Sequence, residues 1–99
     1  MVIISNLSYP PESANDIAKR FLEAPQLPDY LVRRGPYITS TADKGIQTVS
    51  IYECDKSKMA EAYEFLGNYM AIFFGVSGFR YEYKPFMEVE EALKMIGMG

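Results

Sequence analysis

Two stretches of this 99-residue chain repeat apolar residues at helical spacing, and four others have strand character. They follow one another as strand, helix, strand, strand, helix, strand. This order is the strongest constraint on the fold, because strand–helix–strand crossovers are right-handed and few sheet topologies then remain. In the first helical stretch Ala14, Ile17, Ala18, Phe21 and Leu22 fall on one side, and Asn15, Asp16, Lys19, Arg20 and Glu23 on the other. Pro10, Pro11 and Glu12 precede it, where a missing N–H is harmless and an acid meets the positive helix end. The second helix is predicted over Lys56–Phe74, with a stripe of Met59, Ala62, Tyr63, Leu66, Met70 and Phe73. Asp55 is suited to its N-cap and Gly75 to its C-terminal turn.

Val2–Leu7 is apolar on both sides of its alternation, the pattern of a central strand. Pro25 and Pro28 mark the connector Ala24–Asp29. Tyr30–Arg34 and Tyr37–Thr41 read as one strand interrupted by Gly35-Pro36. A proline cannot donate to a ladder, so this strand is expected at an edge, with a bulge that reverses its phase. Asp43-Lys44-Gly45 supplies a hairpin turn. Gln47–Glu53 alternates Val49 and Ile51 against Thr48, Ser50 and Tyr52. Phe79–Lys84 reads as a second edge strand ended by Pro85, and Glu88–Ile96 as a short terminal helix. The expected fold is α+β: one ferredoxin-like βαββαβ domain over residues 1–99, with an antiparallel four-stranded sheet in the order 4-1-3-2 and a C-terminal helix. Its central pair of strands is expected to be parallel.

Composition removes several functions. Histidine is absent and there is one cysteine, Cys54, so Ser-His-Asp systems, Cys-His systems and His- or Cys-rich metal sites are excluded. No metal and no cofactor is expected. The net charge of −3 and a single adjacent basic pair, Arg33-Arg34, argue against nucleic-acid binding. No apolar run reaches the ~20 residues that span a bilayer, so no membrane partner is expected. The apolar start reads as a strand and not as a signal peptide, and a cytoplasmic setting follows by default.

Two helices cover one face of a four-stranded sheet. Alternation assigns Thr48, Ser50 and Tyr52 to the other face, too polar for a helix-packed core and too uncharged for open water. A homodimer enclosing a cavity between two such faces suits this composition. The candidate ligand-binding residues on that face are Asn6, Thr48, Ser50, Tyr52, Tyr81 and Tyr83, with Arg33 or Arg34 at the rim to pair a carboxylate. The alternative is that they only fill a dimer interface. Cys54 is weighed as a reactive thiol near a helix N-terminus against a small buried hydrophobe. Glu61, Glu64, Glu88, Glu90 and Glu91 read as solvated helix faces, although paired carboxylates can do acid–base work.

Tyr9-Pro10-Pro11-Glu12, Arg20-Phe21, the Pro25–Pro28 loop, Gly45 before the third strand and Glu90-Glu91-Ala92 resemble a family of small bacterial and archaeal proteins within the dimeric α/β-barrel superfamily. The resemblance implies two subunits with their sheets facing each other. It also brings the superfamily's range of function, from cofactor-free monooxygenases and muconolactone-isomerase-like enzymes to amino-acid-sensing domains. An aromatic–His pair often follows the strand-two glycine in the close family; here Pro36-Tyr37-Ile38 stands in its place, and His-dependent chemistry does not carry over. Three readings follow: a dimeric binder of a small organic molecule, a cofactor-independent monooxygenase or isomerase, and a structural or adaptor module.

Overall fold

The computed structural model describes residues 1–99. Strand β1 spans Val2–Tyr9 and a 3-10 turn over Pro11–Ser13 leads into helix α1, Ala14–Leu22. Strands β2, Val32–Thr41, and β3, Gly45–Glu53, form a hairpin. Helix α2 spans Met59–Ala71, strand β4 Arg80–Phe86 and helix α3 Val89–Met95. The strands form one sheet in the order β2-β3-β1-β4, with every neighbouring pair antiparallel.

This order is the expected one, but the central pair β1–β3 is antiparallel where a parallel pair was expected. The connectivity explains it. The crossovers make β1 parallel to β2 and β3 parallel to β4, yet neither pair is adjacent. The hairpin turns β3 back along β2, so β3 opposes β1 as well.

The central register sets the two faces of the sheet. Ile3 faces Tyr52, Ser5 faces Ser50 and Leu7 faces Thr48, and all six side chains are buried beneath the helices. Ile3 and Tyr52 pack with Leu31, Ala62 and Leu66; Leu7 and Tyr9 pack with Ile17, Tyr69, Met70, Phe73 and Val76. Fully burying side chains such as Ile3, Leu66 or Phe73 contributes about 1.5–3 kcal/mol each. The other face carries Val2, Ile4, Asn6 and Ser8 from β1 and Gln47, Val49, Ile51 and Glu53 from β3, all half-exposed. The expectation that Thr48, Ser50 and Tyr52 turn away from the helices is therefore corrected. The more apolar row, Val49 and Ile51, is the one left open.

Strand β2 is an edge strand with a register shift between Arg34 and Tyr37, as the Gly35-Pro36 pair suggested. Arg34 opposes Ile51 and Tyr37 opposes Val49, so two residues of β2 stand against Ser50 alone. The bulge reverses the phase: Arg33 points to the helix side before it, and Ile38 after it. At the far edge Pro85 lies within β4 and does not end it, since an edge position does not require its missing N–H. Asp55 makes no side-chain cap bond, and a 3-10 turn over Lys56–Lys58 precedes the α-helix.

Gly35 has φ +96°, and a Cβ there would lie 2.9 Å from the Tyr37 nitrogen and 3.0 Å from the Val49 carbonyl oxygen. Gly75, at φ +91°, would meet nothing within 4 Å. Gly75→Ala is expected to cost about 1–2 kcal/mol from backbone conformation alone. Gly35→Ala is expected to cost clearly more in urea denaturation, because backbone atoms must also move; equal losses would show that the bulge tolerates a side chain.

Candidate functional site

The small pair Ser5 and Ser50 sits mid-sheet between the larger pairs Ile3–Tyr52 and Leu7–Thr48. Beside Ser50 a cavity of about 180 Å³ opens between the sheet and both long helices. Its floor is Leu7, Tyr9, Thr48, Ser50 and Tyr52. Helix α1 contributes Ile17, Ala18 and Phe21, helix α2 Tyr69, Met70 and Phe73, and β2 Arg33, Pro36 and Ile38. The amphipathic spacing of α1 and α2 places these apolar walls, and the β2 bulge keeps both Arg33 and Ile38 turned inward.

Arg33 is the one charged residue in this lining. Its Nη1 donates to the Tyr69 hydroxyl at 3.2 Å, and its guanidinium carbon lies 5.5 Å from the centre of the Phe21 ring. No carboxylate lies within ion-pair distance of it, whereas its neighbour Arg34 pairs with Glu53 at 2.6 Å on the open face. Burial lowers the affinity of the Arg33 guanidinium for its proton, but hydrogen bonding to Tyr69 and Tyr52 outweighs this and the net shift is upward. Burial likewise raises the Tyr52 pKa above the ordinary phenol value, against an opposing pull from Arg33. At neutral pH the site therefore holds a cation and neutral hydroxyls on an otherwise apolar wall, which suits it to holding an anion and not to abstracting a proton.

The eight sequence candidates divide into three groups. Arg33, Thr48, Ser50 and Tyr52 converge on the cavity. Tyr81 and Tyr83 also lie on the helix side, contrary to the expected open face, but along the β4 edge. There Tyr63 donates its hydroxyl proton to the Tyr83 carbonyl at 3.0 Å, and Tyr81 stacks on Phe79 and Tyr83. Asn6 and Arg34 lie on the open face. Asn6 lines a broad, shallow concavity of about 780 Å³ near the β2–β3 turn, together with Ser8, Gln47, Arg80 and Glu82. That hollow is larger but open and of mixed charge. Sequence reasoning passed over Tyr69, Phe21 and Ile38; Tyr69 follows Leu66 by three positions and precedes Phe73 by four, so the stripe of α2 already contained it.

The remaining candidates stay apart from the cavity. Cys54 is half-buried with its sulfur 3.6 Å from that of Met59, and burial raises its pKa, so the thiol is not activated. Glu91 accepts from the Glu88 N–H at 3.2 Å and from the Met1 nitrogen at 2.8 Å, and Glu61 pairs with Lys58 at 3.5 Å. No group of three Cys, Asp or Glu side chains converges. No family model matches this chain, and no curated protein matches it.

The raised Tyr52 pKa gives a stability that is present below the ordinary phenol pKa of about 10 and is lost as pH rises through the folded-state value. Ultraviolet titration of the folded protein should show a late-ionising tyrosine fraction. Tyr52→Phe should remove part of it, as should Tyr83→Phe, since burial also raises Tyr83. An unchanged titration in Tyr52→Phe would contradict the buried placement of this hydroxyl.

Proposed function

We propose that this chain binds a small organic molecule in the cavity beneath its helices. It does so as a homodimer of ferredoxin-like subunits arranged as a dimeric α/β barrel. The observation that carries the binding reading is Arg33. It is a partly buried cation with phenol hydroxyls but no carboxylate for partners, and its guanidinium borders a void walled by apolar side chains and the hydroxyls of Tyr9, Thr48, Ser50, Tyr52 and Tyr69. A void of about 180 Å³ is smaller than the ~300–1,000 Å³ of drug-sized sites. It is above the ~150 Å³ that accommodates benzene in an engineered apolar cavity, which sets the scale of the ligand. Binding is favoured over turnover because the lining lacks a base near neutral pH. Its titratable groups are phenols and a guanidinium, and Tyr52 is held further from ionisation by burial.

The open face and α3 support the dimer. Val2, Ile4, Val49 and Ile51 form an apolar band across β1 and β3, extended by Tyr37 and Val32, each 59% exposed. Arg34 and Glu53 flank it on one side, and Arg80, Glu82 and Lys84 on the other. Both signs are present on one face, so a two-fold copy can satisfy it where a partner of single charge would not. Helix α3 and the residues that follow it leave Val89, Met95, Ile96 and Met98 between 64% and 72% exposed. The radius of gyration is 15.2 Å, against about 13 Å for a compact chain of this length. A second subunit would cover both surfaces.

Sedimentation velocity at micromolar concentration should show a species of two chains, reduced toward one by Ile51→Lys; a monomeric wild type would contradict the dimer. For the ligand, two-dimensional NMR with a library of neutral, cationic and anionic compounds of benzene to naphthalene size should give shifts clustered at Ile17, Thr48 and Met70. Shifts confined to the Asn6 hollow, or none from any compound, would contradict the cavity as the site.

A further inference from the structure

From the charge of the cavity lining we infer the ligand class: a small organic monoanion, a carboxylate on one compact, ring-sized apolar body, with Arg33 as its counter-ion. This inference rests on the cavity being a binding site. Arg33 is the single charged lining residue, and no carboxylate pairs with it. The guanidinium has five N–H donors, and within the site it is engaged only by the Tyr69 and Tyr52 hydroxyls, the contact to Tyr69 at 3.2 Å. The rest of the fork matches a carboxylate, which accepts two parallel N–H bonds. A cationic ligand would meet like charge, and a neutral one would leave the half-buried guanidinium without a counter-charge.

Tyr52 is 3% exposed and its phenol remains protonated, so its hydroxyl is available as a further donor on the same side as Arg33. Opposite, Ile17, Met70 and Phe73 offer only apolar atoms, which fits the body of the ligand and excludes a second charged group. The volume of about 180 Å³ suits one ring with its carboxylate better than two fused rings bearing one, given that ~150 Å³ already accommodates benzene alone.

The test uses benzoate, benzamide, benzylamine and 2-naphthoate with the 99-residue chain at pH 7, read by calorimetry and by NMR shifts at Thr48 and Met70. Benzoate is expected to bind about tenfold or more tightly than benzamide, the scale of one charge-assisted hydrogen-bonded pair. Benzylamine is expected not to shift the cavity residues, and 2-naphthoate to bind more weakly than benzoate. Arg33→Gln should abolish the preference for benzoate over benzamide while keeping the wild-type melting profile. If that variant unfolds, the wild-type comparison decides alone. Benzamide binding as well as benzoate would overturn the anion assignment and leave the cavity as a site. Failure of all four probes to shift cavity residues would overturn both.

Discussion

The antiparallel pairing of β1 with β3 is the contact on which the rest of the structure depends. Side chains alternate strictly along a strand, so this one register decides which face every residue of the two central strands occupies. With Ile3 against Tyr52 and Leu7 against Thr48, the helices rest on large side chains at two levels of the sheet. Between those levels stand Ser5 and Ser50, too small to reach the helices, and the space beside Ser50 remains open. A slip of one residue would place Val49 and Ile51 beneath the helices and remove the hydroxyls from the cavity.

The element order, the edge positions of β2 and β4, the bulge at Gly35-Pro36 and the turn at Gly45 were legible because each has a local cause. Proline lacks a donor, and Gly35 and Gly45 take up positive φ. The face of β3 was not legible. Apolar alternation is read on the premise that the more apolar row meets the helices, and in β3 the rows are reversed. Tyr52 supplies enough ring area to pack against Leu66 and Ala62, while Thr48 and Ser50 border a void and so need no apolar bulk. The antiparallel central pair follows from the connectivity alone: two crossovers and one hairpin require antiparallel neighbours.

Arg33 and Arg34 show how far local position decides chemistry. They are adjacent in sequence and identical in type. Alternation sends Arg34 to the open face and its partner Glu53, and sends Arg33 inward to Tyr69, Phe21 and the cavity. Half of the eight candidates named from the sequence, Arg33, Thr48, Ser50 and Tyr52, line the cavity. It had no means to separate them from Asn6, Arg34, Tyr81 and Tyr83, because that separation depends on the bulge phase in β2 and on which strand lies under which helix.

All of this rests on which row of β3 faces the helices. A nuclear Overhauser spectrum of the protein tests it most directly. The Tyr52 ring protons are expected to show cross-peaks to the methyl groups of Leu66 and Ala62, and the Ile51 methyls to show none to either. Cross-peaks from Ile51 to Leu66 and Ala62, with none from Tyr52, would place the hydroxyl row on the open face and contradict the cavity, its arginine and the function built on them.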